Sequence, residues 1–187
     1  MAGWILIGII CLFTIWMIFI YNRLITLRNE VKNAWHQIDV QLKRRYDLIP
    51  NLVAVVKGYM EFEQDTLEKV VSARTKALSA VSLRERASAE NMLTDAIGRL
   101  FAVMENYPVL KSNENVMQLQ EELTSTENRI AFARQLYNDL VANYRTRLEV
   151  FPDNIIASMF TFRSAEYFTV DKSDRVLPVA DISVRRK

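Results

Sequence analysis

Cysteine and histidine occur once each in this 187-residue chain, as Cys11 and His36. That excludes an internal disulfide and leaves nothing for a zinc site built from the usual nitrogen and sulfur ligands, so no metal residue is expected. Glycine and proline are scarce too, four of each, where an all-β fold would consume many more in turns. Helix is therefore the default reading. A dense basic face is also missing: 24 Lys and Arg against 22 Asp and Glu leave a formal net charge of +2, which argues against a nucleic-acid partner. Carboxylates do cluster, at Glu121 and Glu122 and at Glu61, Glu63 and Asp65. With no histidine, serine elbow or glycine-rich loop beside them they read as ordinary helix surface, and neither a catalytic residue nor a cofactor is expected.

Charge is absent altogether from residues 1–22, and what fills that stretch is apolar. Trp4 to Tyr21 gives 18 uncharged, mostly apolar residues, close to the ~20 that cross a ~30 Å hydrocarbon core. Trp4 and Tyr21 sit at its two ends, where amphipathic rings prefer the headgroups, and Arg23 follows at the membrane interface. A cleaved signal peptide would need a basic leader and a small-residue cleavage site, which this stretch lacks. Arg23, Arg28, Lys32, Lys43, Arg44 and Arg45 all follow the segment, offset only by Glu30 and Asp39. The positive-inside bias therefore places the N-terminus outside and the C-terminal part in the cytoplasm of a single-pass inner-membrane protein.

Beyond the membrane segment the apolar residues keep helical spacing. Leu24, Leu27, Val31, Ala34 with Trp35, Ile38 and Leu42 form one stripe with no break from the segment before it. A continuous helix from Leu24 to Ile49 projects roughly 39 Å at 1.5 Å per residue. Pro50 removes a backbone donor, so a kink or break is expected near Leu48 to Ile49, after which the pattern resumes at Leu52 and runs on towards Leu78. Gly58 marks a weak point within it. Ser79 to Ser88 reads as a connection, and a second helix runs from Ser88 to Asn106, stopped by Tyr107 and Pro108.

Ser112 or Asn113 is positioned to cap a third helix whose seam is the most regular in the chain: Val116, Leu119, Leu123, Thr126, Ile130, Ala133, Tyr137, Leu140, Tyr144, Leu148. The alternation of three and four is the coiled-coil period. A rod of roughly 54 Å follows, and an antiparallel bundle with the first helix fits that length. Phe151 and Pro152 end it, with Asp153 as cap of a short helix from Ile155 to Phe162. The expected architecture is all-α: a transmembrane helix over 1–22, continuous with an elongated antiparallel bundle of three to four helices over 23–162, and a partly ordered tail over 163–187.

Polar residues inside apolar seams carry the most information. Gln41 and Arg45 continue the stripe of the first helix, and Thr126 interrupts that of the third, flanked by Glu127, Asn128 and Arg129. A buried arginine needs a carboxylate, which Asp47, Asp39 or Glu127 could supply. These residues are expected to form a polar layer that fixes helix register; the competing reading has the long side chains reaching out to solvent.

Three blocks stand out in this sequence: Asp39 to Arg45 with Asp47 to Val53 and Val56 to Tyr59; Leu100 to Val103 with Glu105, Tyr107 and Pro108; and Leu119, Gln120, Glu122, Leu123 and Thr126 to Ala131 with Ala133, Arg134, Tyr137 and Asn138. Together they resemble the LemA family of bacterial membrane proteins. The resemblance covers residues 1 to about 168. It implies one N-terminal membrane helix, an elongated helical bundle and no established enzymatic activity. It also implies roles near magnetosome biogenesis and near membrane zinc proteases. Phe62 stands where many members have histidine, Val109 where aspartate is common and Thr161 where glycine is usual. Two functional readings follow. One is a non-enzymatic, membrane-anchored scaffold that self-associates and helps to organise the envelope, with lipid and further copies of itself as partners. The other is an accessory subunit of a membrane enzyme such as a zinc metalloprotease.

Overall fold

The computed structural model describes residues 1–60 and 62–169. Six helices carry the described residues: α1 (Ala2–Lys57), α2 (Gln64–Ser79), α3 (Leu83–Met104), α4 (Pro108–Lys111), α5 (Glu114–Glu149) and α6 (Asp153–Met159). The fold is all-α, with no strand among these residues.

Helix α1 is a single element of 56 residues. Its first part holds one window apolar and long enough to cross a membrane, and its large side chains from Trp4 to Phe19 are exposed apart from the half-buried Met17. Farther along, Val31, Ala34, Ile38, Leu42, Ile49, Leu52 and Val56 are buried at intervals of three, four and seven, so one stripe faces the bundle. Of the kink or break expected near Pro50, the break does not occur. The helix continues to Lys57 and the chain reverses through Gly58 to Glu63, where Met60 is buried as a plug. Proline is tolerated because the carbonyl it leaves without a donor, that of Tyr46, accepts a hydrogen bond from Arg74 Nε of α2 at 2.8 Å.

Helix α2 then runs back along α1, burying Leu67, Val70, Ala73 and Ala77. The connection to α3 is shorter than the expected Ser79 to Ser88, because Ser82 and Glu85 form a capping box that starts α3 at Leu83. Arg86 to Asp39 (2.7 Å) and Thr94 to Arg45 (2.8 Å) show α3 running parallel to α1. After α4, a single turn led by Pro108, Asn113 Oδ1 accepts from the N–H groups of Asn115 and Val116 and starts α5.

Arg45 with Glu127 and Trp35 with Tyr137 place α5 antiparallel to α1 in an unshifted register over three turns. The result is an up-down-up-down four-helix bundle around the distal half of α1. Nearer the apolar segment α1 and α5 continue as a pair, and α6 folds across them. Ile156 and Ala157 of α6 join Ile20 and Leu24 in a small separate cluster.

The end of α6 is a Schellman turn: Phe162 N–H bonds the Ala157 carbonyl (2.9 Å) and Thr161 N–H that of Ser158 (3.3 Å), with Thr161 at φ 56°. From there the chain climbs back along the α1/α5 pair. Phe168 is buried beside Trp35, and its backbone is held on both sides by the Asn138 side-chain amide. Of the tail expected over 163–187, this returning segment is described as far as residue 169; residues 170–187 lie outside the described residues.

Candidate functional site: a buried polar layer

Among the described residues the bundle interior holds buried ionic groups at one level, where α1, α3 and α5 each contribute ionisable groups. Arg45, 2% exposed, stands on the buried stripe of α1 between Leu42 and Ile49. Its Nη1 lies 2.8 Å from Glu127 Oε2 and 3.3 Å from Glu90 Oε2, and its Nη2 donates to Thr94 Oγ1 at 2.8 Å. Thr94 in turn donates to Glu127 Oε1 at 3.1 Å, which closes a ring across three helices. Tyr46, next to Arg45, donates its phenolic O–H to Glu90 Oε1.

Glu90 is fully buried. Burial pushes its carboxyl above the ordinary 4.5, against the opposing pull of the Tyr46 hydrogen bond and of the Arg45 and Arg134 charges. The Tyr46 phenol is raised in turn, first by burial and then by Glu90. Arg134 stands close to the same layer. Its guanidinium stacks on the Phe168 ring at 4.7 Å, and burial lowers its pKa in spite of Glu90 and Glu127. Its Nε and Nη2 are buried without a hydrogen-bond partner among the described residues.

Of the residues expected in the layer, Arg45 and Glu127 meet directly. Thr126 is buried on the seam, but its hydroxyl bonds the Glu122 carbonyl of its own helix. Gln41 is half-buried at the edge, its Oε1 unbonded. Asp47, Asn128 and Arg129 are exposed and take no part, because each lies well off its helix's buried stripe. Asp39, weighed as a partner for Arg45, pairs instead with Arg86.

Glu90, Thr94, Tyr46 and Arg134 are the members that sequence reasoning missed. Glu90 carried a usable signal, since it precedes Leu93, Ile97, Leu100 and Met104 at steps of three and four and so stands on the α3 seam. At the other end, Trp4 is exposed on the apolar segment and Arg23 is exposed just past it. Tyr21 is half-buried against the rings of Phe160 and Phe162.

Chemically this layer holds helices together. Each carboxylate accepts from groups of the bundle itself, and among the described residues no cluster of His, Cys, Asp or Glu could hold a metal ion. A helix long and apolar enough to cross a bilayer, running unbroken into a four-helix bundle with an internal ion-pair layer, defines a class of helical-bundle proteins with an N-terminal apolar helix. Within that class the chain belongs to the LemA family, which it matches over residues 34–181.

Its curated relatives include Magnetosome protein MamQ 2 of Paramagnetospirillum magneticum, 25% identical over 174 residues, covering 79% of this chain and 64% of the relative. Protein LemA of Metamycoplasma hominis is 26% identical over 157 residues, covering 83% and 71% respectively. Magnetosome protein MamQ of Magnetospirillum gryphiswaldense is 23% identical with coverage of 79% and 64%. The chain thus spans just under two thirds of the MamQ relatives. Neither the family's description nor these names denote an enzyme. The apolar helix and these relatives are consistent with a membrane-associated protein.

Proposed function

We propose that this chain is a non-enzymatic structural protein, anchored in a bacterial inner membrane by α1, that self-associates in the membrane plane and helps to organise the envelope. The observation that carries this reading is a groove of about 610 Å³ lined by α1 and α5 alone, edged by Val40 and by Phe132, which is 73% exposed. Leu136 extends the apolar edge, and the unbonded Gln41 Oε1 lies in its wall. Copies anchored in one bilayer hold this groove at one height with parallel axes, so a weak contact is multiplied by confinement. Relatives named as magnetosome proteins support a place in organising a cellular structure.

Blue-native electrophoresis of the purified full chain tests it. Large homo-oligomers that fall to monomers in Phe132→Glu are expected. A monomer that enlarges only when a membrane enzyme is added would replace this reading with the accessory-subunit one. The bundle is proposed to face the cytoplasm. A cysteine at the exposed Ser125 in a Cys11→Ser background should then react with an impermeant thiol reagent in inside-out vesicles and stay protected in intact cells.

A further inference from the structure

We infer that α6 and the turn before it form a foot that lies in the headgroup and acyl boundary of the bilayer crossed by α1, so that the protein holds its membrane at two places. The inference rests on α1 crossing the bilayer.

Height comes first. Ile156 and Ala157 of α6 are buried against Ile20 and Leu24, and Met17 packs on the same cluster. Met17 and Ile20 belong to the apolar stretch that ends at Tyr21, so α6 overlaps the last turn of the membrane segment rather than standing clear of it. Phe160 rests on Tyr21 with ring centroids 4.8 Å apart. A helix held there is at the level where aromatic rings and amphipathic helices partition.

The outward surface of α6 has the matching chemistry. Phe151, in the turn before the helix, is 78% exposed; Ile155 is 49% and Met159 62% exposed, four apart on α6 and so on one face. Asn154 and Ser158, also four apart and exposed, form a polar stripe beside it. The helix is thus divided lengthwise into a face on the protein, an apolar face and a polar face, as expected where lipid lies on one flank and water on the other. At the same level of α1, Ile18 and Phe19 are exposed as well, so lipid surrounds the helix on which α6 rests.

The placement is fixed rather than loose. Asp153 at the start of α6 is buried 3.7 Å from Arg147 of α5, and the Schellman turn locks the end. Two attachment points restrict tilt and rotation of the bundle about α1, which a single spanning helix leaves to its neighbours.

The test uses the full chain in nanodiscs of phosphatidylcholine and phosphatidylglycerol. A nitroxide is placed in turn at I155C, M159C, N154C and F13C in a C11S background, and its access to oxygen and to an aqueous nickel chelate is measured. Labels at I155C and M159C should be oxygen-rich and nickel-poor, at a depth of about 5–10 Å below the headgroups, with N154C several-fold more open to nickel. Nickel access at I155C equal to that at N154C, with F13C deep in lipid, overturns the foot and leaves α1 in the membrane. Nickel access at F13C overturns both. Shielding of I155C from both reagents, with spin broadening relieved by dilution with unlabelled protein, means that a second copy covers the stripe, and overturns the inference as well.

Discussion

At the scale of single residues, Glu90 sets the energetics of the polar layer. Its carboxyl is raised above 4.5 chiefly by burial, so the folded chain holds that proton more tightly than the unfolded chain. The contribution of Glu90 to stability is therefore full below pH 4.5 and is lost as pH rises through the folded value. In melting curves taken from there upward, the lead of the wild type over Glu90→Gln should shrink with pH; a lead that grows would mean that the arginines outweigh burial. Arg45→Met removes the buried cation that pairs with both Glu127 and Glu90; breaking a buried pair from one side costs about 3–5 kcal/mol, measured by urea unfolding. A loss below about 1 kcal/mol, as for exposed pairs, would contradict the closed layer. Thr161 is the opposite case, a strained residue that can be relieved. A β-branched side chain at φ 56° costs about 1–2 kcal/mol relative to glycine, so Thr161→Gly should raise the melting temperature, and a fall would show that the threonine side chain does something there. The Arg45–Glu127 contact was legible because both ends stand on or beside a periodic seam. Arg134 was not, since its partner Phe168 comes from the irregular segment after α6, where no period marks the inward residues.

At the scale of elements, Pro50 and Arg74 show how a rule about one helix is changed by another. Pro50 has no N–H to offer the Tyr46 carbonyl four residues back, and the guanidinium of α2 supplies the donor. The two residues are predicted to be coupled. Arg74→Ala in the wild type should cost about 1.5–3 kcal/mol, as expected for a charged hydrogen bond. In Pro50→Ala, where the alanine N–H restores the helical bond, the same change should cost measurably less. A double-mutant cycle in urea checks this, and additivity within about 0.5 kcal/mol would show no coupling. The helix runs on past Pro50 for this reason: the compensating donor, Arg74, is 28 residues from Tyr46 in sequence, and helix periodicity carries no record of it. Periodicity did disclose what is local to one helix. The α5 seam from Val116 to Tyr144 and its Asn113 cap are readable from spacing and residue type, while Ser82 and Glu85, a readable capping box, mark the start of α3 within what looked like a polar connection.

At the scale of the whole molecule, α1 threads two cores of unequal size. The larger fills the four-helix bundle, and the smaller consists of Ile20, Leu24, Ile156 and Ala157 beside the apolar segment, with Leu148 and Phe162 touching both. Leu24 and Leu52 are both fully buried on the same helix, one in each core, so the same truncation can be read in two surroundings. Leu52→Ala truncates a fully buried side chain of the larger core, and the loss, about 2–5 kcal/mol, should appear in the main unfolding transition. Leu24→Ala removes contacts whose failure releases only α6, because α1 and α5 remain paired above it. Hydrogen exchange should therefore quicken at residues 153–159 while the amides of α1 from Ile38 to Val56 keep their protection. Equal shifts of the main transition in the two variants would mean that Leu148 and Phe162 weld the cores into one cooperative unit, and that the membrane end and the bundle unfold together.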